Sequence, residues 1–150
     1  MSRETIRCRW CLSDPLYIKY HDYEWGVPMH DDKKLFEFLI LENFQAGLSW
    51  LTILKKREAF RKALDEFNYK VIANYSNKKL NILTNDSSII RNHLKIKSVK
   101  TNAISFLKIQ NEFGSFSEYI WRFVDNTPIK NDFDYIEQIP TSNELSNQRI

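Results

Sequence analysis

The chain has 150 residues, a formal charge of +3, and a high aromatic content with ten Phe, seven Tyr and four Trp. That length suits a single domain over residues 1–150 with a real core, and it is too short for two independent domains. Three glycines and four prolines are too few for a many-turn β-sandwich or a disordered chain, and they suit helices joined by short polar loops.

The mild charge permits a nucleic-acid partner without requiring one, because a small surplus can gather on one face. Two cysteines three positions apart, Cys8 and Cys11, do not make a disulfide scaffold. No leader pattern opens the sequence, and no segment approaches the roughly 20 apolar residues that cross a bilayer. The expectation is a soluble, cytoplasmic protein.

In chain order, Asp14-Pro15 predicts an N-cap with proline at the first helical position, opening a helix that stops before Gly26. Tyr17, Tyr20, His21 and Glu24 then share one face. That face is aromatic and polar where a core helix would present Leu or Ile, which suits a ligand site. Tyrosines packing a small core with wet hydroxyls is the competing reading. Asp31 and Asp32 cap the next helix, whose residues Leu35, Phe36, Phe38, Leu39 and Ile40 make it apolar around much of its circumference and therefore central. It ends near Glu42.

A third helix is predicted from about Ser49 to Phe67, with Leu51, Leu54, Phe60, Ala63, Leu64 and Phe67 buried. Its wet side carries Lys55, Lys56, Arg57, Arg61 and Lys62. Short helices follow around 69–75 and 77–84. Asp86-Ser87-Ser88 reads as a turn, and a longer helix then runs to about Phe113, where Gly114 stops it. Between Asp86 and Glu112 there is no acid, while Arg91, Lys95, Lys97, Lys100 and Lys108 are basic. A helix, tight turn and helix of one sign can set lysines and backbone N–H groups against phosphates; a solvated helix face is the simpler alternative. Ser115 to Glu118 fits a capping box opening a further helix. From Asn126 on, the pattern is polar and weak. No segment has a convincing β period, so the fold class is all-α.

The chemistry concentrates in residues 41–50, Leu-Glu-Asn-Phe-Gln-Ala-Gly-Leu-Ser-Trp. Glu42 closes one helical pattern and Trp50 opens the next, so a carboxylate and a large aromatic meet at a helix corner. Enzymes that act on a base in duplex DNA extrude it, stack it on aromatic faces and read its polar edge. Tyr17, Tyr20 and Trp50 offer faces, and Glu42 offers an acceptor that also favours a cationic ligand. A packed Trp beside a solvated Glu is the bland alternative. Cys8 and His21 are of zinc-ligand type, but a structural site needs four ligands. A lone cysteine and a capped histidine is the simpler reading of that pair.

Several strings together resemble the 3-methyladenine DNA glycosylase I (Tag-type) family. They are Arg7-Cys8 with Trp10, Asp14-Pro15-Leu16-Tyr17, Tyr20-His21-Asp22, Glu24-Trp25-Gly26-Val27-Pro28, Leu41-Glu42, and Gln45-Ala46-Gly47-Leu48-Ser49-Trp50. Lys55-Lys56-Arg57, Ile89-Ile90-Arg91, Lys95-Ile96, Trp121, Phe123 and Ile139-Pro140-Thr141-Ser142 continue the match in order.

The resemblance implies a helix-hairpin-helix glycosylase-like helical domain that hydrolyses the N-glycosidic bond of 3-methyladenine in alkylated double-stranded DNA. It implies that Glu42 reads the extruded base and that Tyr20 and Trp50 stack on it, with Tyr17 alongside. Arg91, Lys95 and Lys97 would belong to a DNA-gripping hairpin. No membrane or protein partner is expected, and the chain should be a monomer. Many superfamily relatives use an aspartate after the hairpin, whereas this family lacks it, as this sequence does.

The resemblance also implies structural zinc, with Cys8 and His21 as the first two ligands. The family's later His and Cys have no match before the sequence stops at Ile150, so half a site is expected. The alternative function is a truncated lesion- or DNA-binding protein with weak or no catalysis.

Overall fold

Apolar side chains at helical spacing build eight α-helices among residues 6–148, which the computed structural model describes. They are α1 (Pro15–Tyr23), α2 (Asp32–Gln45), α3 (Trp50–Ala63), α4 (Tyr69–Ile72), α5 (Asn77–Thr84), α6 (His93–Phe113), α7 (Phe116–Trp121) and α8 (Glu144–Asn147). Among the described residues there is no strand, as an all-α chain requires. The ends of the domain expected over 1–150, residues 1–5 and 149–150, lie outside the described residues.

Two helices carry the core. On α2, Phe36, Ile40, Leu41 and Phe44 are fully buried, and on α6 Ile96, Val99, Ala103 and Phe106 are buried or nearly so. Both sets follow the three-to-four residue spacing that puts side chains on one helix face. Phe36 meets Phe106 edge-on at 5.1 Å, and Phe106 stacks on Phe116 of α7 at 4.4 Å. Burial of each such ring stabilises the fold by roughly 1.5–3 kcal/mol. Helix α2 packs against α3, α6 and α7, which confirms its central place. Its apolar character is less uniform than expected, since Leu39 remains 38% exposed.

Helix α3 ends at Ala63, four residues earlier than the pattern suggests. The chain then enters a turn in which Asp65, Glu66 and Phe67 all have positive φ, at 48°, 54° and 54°. A left-handed conformation costs non-glycine residues roughly 1–2 kcal/mol each. Packing outweighs it here. Leu64, Phe67 and Ile72 are all buried, the Tyr75 hydroxyl donates to Asp65, and α4 packs onto α6. Helix α4 correspondingly closes at Ile72 instead of continuing to residue 75.

The expected wet side of α3 is also only partly wet. Arg57 donates from Nε to Glu37 Oε1 at 2.5 Å and from Nη1 to both Glu24 oxygens at 2.8–2.9 Å. Arg61 reaches the same Glu37 oxygen at 2.8 Å. Glu37, on α2, is 8% exposed, so the arginines are drawn inward to neutralise it.

Asp31 caps α2 through a 2.8 Å bond from the Lys34 N–H. Asp32 does something the local pattern does not show. Its carboxylate accepts from the N–H groups of Phe116 and Ser117 at 2.9 and 2.8 Å, and from Gln110 Nε2 at 2.5 Å. It thus satisfies the open N-terminus of a helix 84 residues away. Beyond α7 every residue from Asp125 to Gln148 is exposed.

Because Asp32 ties α2, α6 and α7 together, Asp32→Ala should lower unfolding free energy by about 1–3 kcal/mol. Asp31→Ala, which removes only a local cap, should cost about 1 kcal/mol. Urea denaturation of both variants gives the comparison.

Candidate functional site

Three helix ends converge on one pocket of about 250 Å³, lined by Trp10, Tyr17, Tyr20, Trp25, Glu42, Gln45 and Trp50. Helix α1 supplies Tyr17 and Tyr20 at i and i+3. The last turn of α2 supplies Glu42 and Gln45, again at i and i+3. Trp50 is the first residue of α3.

The corner between α2 and α3 is built tightly. Gly47 sits at φ +80°, a conformation that a side chain would strain. Gln45 donates to the Leu48 carbonyl at 3.3 Å, and the Ser49 hydroxyl caps α3 by accepting from the Thr52 N–H at 3.2 Å. The corner therefore brings Glu42 and Trp50 to the same pocket.

Helix α1 closes the third side. Asp14 accepts from the Leu16 N–H at 2.9 Å and pairs with Lys55 of α3 at 3.0 Å. Glu24, at the other end of α1, is held by Arg57. Between these ion pairs the contacts are aromatic: Tyr20 meets Trp50 at 5.5 Å, Trp10 meets Tyr17 at 4.9 Å, and Trp10 meets Trp25 edge-on at 5.3 Å. Rings at these separations and tilts place quadrupoles favourably.

The electrostatics of the pocket follow from its walls. Partial burial disfavours the Glu42 carboxylate and raises its pKa above the usual carboxylate value. Tyr20 is pushed up to about 12, first by burial and then by the negative charges of Glu42 and Glu24. It therefore stays a neutral hydroxyl donor at physiological pH. The Trp50 N–H lies close enough to Tyr20 to oppose that shift slightly, yet it is buried without a hydrogen bond in normal geometry. The pocket thus offers a carboxylate acceptor, a tyrosine hydroxyl and several flat faces. A larger depression of about 800 Å³ beside α5 is open and lined by Lys78, Asn81, Ile82, Asn85 and Asp86, without any aromatic wall.

All four pocket residues singled out from the sequence, Tyr17, Tyr20, Glu42 and Trp50, meet here. Trp10, Trp25 and Gln45 join them. Gln45 was available from helical spacing, three residues after Glu42. Trp10 lies in a single 3-10 turn before α1, Arg9–Cys11, too short for any periodicity to aim it.

The basic segment separates into two kinds of residue. Arg91 and Lys97 are exposed, on either side of the start of α6. Lys95 is half-buried, and its Nζ donates to the carbonyls of Phe44 and Ala46 at 2.9 and 2.5 Å. Lys100 likewise donates to the Tyr75 carbonyl at 2.7 Å. The turn itself is organised by Asp86, which accepts from the Ser88 N–H and hydroxyl at 2.9 and 2.6 Å, while Ile89 plugs the core.

Cys8 and His21 lie together: the Cys8 N–H donates to His21 Nε2 at 3.4 Å, and His21 Nδ1 faces Asp22 at 3.0 Å. Asp22 is held down at about 2, first by its hydrogen bond from Arg7 and then by His21. Both nitrogens of His21 are thus engaged by protein groups. Among the described residues no group of three or more His, Cys, Asp or Glu side chains is placed to hold a metal. The pair supplies half of a tetrahedral zinc set and does not by itself fit a complete site.

A family model described as methyladenine glycosylase matches residues 10–149. The DNA-3-methyladenine glycosylase of Haemophilus influenzae is 42% identical over 142 residues, spanning 95% of this chain and 77% of that protein. DNA-3-methyladenine glycosylase 1 of Escherichia coli is 42% identical over 140 residues, spanning 93% and 75%. A crystal structure of 3-methyladenine DNA glycosylase I matches with a TM-score of 0.89 at 42% identity, over 93% of this chain and 77% of the other. A Staphylococcus aureus structure, described as the structural basis of 3-methyladenine recognition, gives 0.89 at 35% identity over 92% and 73%.

The raised pKa of Glu42 means that the folded chain binds this proton more tightly than the unfolded chain does. Its charged form therefore opposes folding above the folded pKa, and the penalty fades as pH falls below the unfolded value. Glu42→Gln should accordingly stabilise the protein slightly near neutral pH. The gain should vanish in acid. Thermal melts of both proteins across pH read this directly.

Proposed function

The chain belongs to the methyladenine glycosylase family, and from that premise we propose how its pocket hydrolyses the N-glycosidic bond of 3-methyladenine in alkylated DNA. The observation that carries the reading is the Glu42 carboxylate facing into an aromatic-walled pocket.

A base methylated at N3 carries positive charge and departs as a neutral molecule, so it needs little help from an acid. The work left to the protein is to extrude the base, strip its water, orient it and admit the attacking water. Tyr17, Tyr20 and Trp50 provide the stacking faces. Glu42 accepts from the polar edge of the base, and in a partly dehydrated pocket its charge favours a cationic base over a neutral one. Tyr20, kept protonated, donates its hydroxyl beside the same edge. Glu42 also lies where it can stabilise positive charge developing on the sugar.

Outside the pocket, Arg91 and Lys97 grip phosphates of damaged double-stranded DNA, and the protein acts as a monomer in the cytoplasm. No helix among the described residues is long and apolar enough to cross a membrane. Zinc enters the reading for structure alone. Cys8 and His21 would hold it with two further ligands, and no step of base release runs through it.

Glu42→Gln should lower single-turnover release of 3-methyladenine from methylated DNA by at least about 100-fold while leaving DNA affinity intact. The wild-type rate should rise with pH to a plateau as Glu42 ionises, with its midpoint above the ordinary carboxylate range. Equal release by wild type and variant would sink the role of Glu42. DNA binding without release by the wild type would leave a lesion-binding protein.

A further inference from the structure

Lys95 belongs by sequence to the basic hairpin, but its ammonium points into the protein. Its two acceptors are the carbonyls of Phe44 and Ala46, in and just beyond the last turn of α2. Those carbonyls are among the groups a helix leaves unpaired at its C-terminus, and a cation there also complements the helix dipole. The same junction carries a second bond between the two helices, from Asn43 Nδ2 to Ser98 Oγ at 2.9 Å. Ser98 in turn donates to the Lys95 carbonyl at 2.7 Å, and the Lys95 N–H is capped by Asn92 at 3.1 Å. The turn of α2 that holds Glu42 and Gln45 is therefore fastened to the first turns of α6.

We propose that Lys95 is a positioning residue that couples the DNA-gripping hairpin to the base-reading end of α2, and that it does not contact phosphate. The inference rests on the function proposed above. A lysine cannot serve a phosphate and both carbonyls at once, because reaching for the first would abandon the helix-end carbonyls of Phe44 and Ala46. The hairpin fixes where the DNA backbone lies relative to α6, and Lys95 fixes where Glu42 lies relative to α6. Lys95 thus acts with the Asn43–Ser98 bond to set the distance between gripped strand and pocket. Lys56 reinforces the frame from α3, donating to the Ser88 carbonyl of the hairpin at 2.9 Å. The helix that begins with Trp50 is thereby tied to the same hairpin.

The test compares the wild type with Lys95→Met, Lys95→Arg and Lys97→Met on methylated duplex DNA. Affinity is measured against salt concentration, base release under single turnover, and backbone amide exchange by mass spectrometry. Lys97→Met should reduce the salt slope by about 0.9, as loss of one phosphate contact requires. Lys95→Met should leave the slope unchanged while base release falls between about tenfold and a hundredfold, the scale of a small misplacement. Its amides should exchange faster across residues 44–50 and 93–98, with residues 116–121 unaffected. Lys95→Arg retains the cation and should recover part of the rate, though a planar fork fits two carbonyls less well than an ammonium.

A shallower salt slope for Lys95→Met, an unchanged release rate, or exchange that is unchanged or uniformly faster would overturn the proposal. If the wild type releases no base, the proposed function fails instead, and the exchange pattern still decides whether Lys95 clamps α2.

Discussion

The geometry of the site depends first on Arg57. Helix α1 forms a whole wall of the pocket, yet none of its residues is buried. Partial aromatic contacts such as Tyr20 on Trp50 hold it only in part, and ion pairs at both of its ends complete the attachment. One guanidinium spans Glu24 at the end of α1 and Glu37 on α2, while Lys55 takes Asp14 at the start of α1. The planar fork of arginine can address two carboxylates in fixed directions, which a lysine cannot do. Most surface ion pairs contribute little. This one is different because Glu37 is largely removed from water and would be an uncompensated charge without its partners.

With α1 pinned, the pocket is a product of helix termini. Helix ends are where backbone groups lack partners and where chain direction changes, so polar side chains and glycine gather there for structural reasons alone. Here the same requirements assemble a carboxylate, a phenol and an indole around one small volume. The aromatic rings wall the pocket beside Glu42, and the partial desolvation there raises its pKa.

Much of this was legible in the sequence. Helical spacing placed Tyr17 with Tyr20, the break at Gly47 placed Glu42 near Trp50, and the apolar density of α2 marked it as central. What escaped were contacts between residues distant in sequence. Nothing local distinguishes Lys95 from Lys97, two positions apart on the same helix. One faces the end of α2 and the other faces solvent, and the choice belongs to the tertiary packing. Arg57 looked like a solvated cation because its carboxylate partners lie on two other helices. Asp32 looked like a second N-cap beside Asp31, although its acceptors serve the start of α7. The early end of α3 was hidden for a related reason: residues 64–67 keep a helical pattern of apolar positions while the backbone leaves the helix.

That left-handed turn also decides where α3 must end. Residues 65–67 disfavour their native conformation when taken alone, so no local preference can form the turn in advance. Only the socket that receives Phe67 and Ile72, walled by α2 and α6, repays the strain. The boundary between α3 and α4 is therefore imposed by packing against elements distant in sequence and not by local preference.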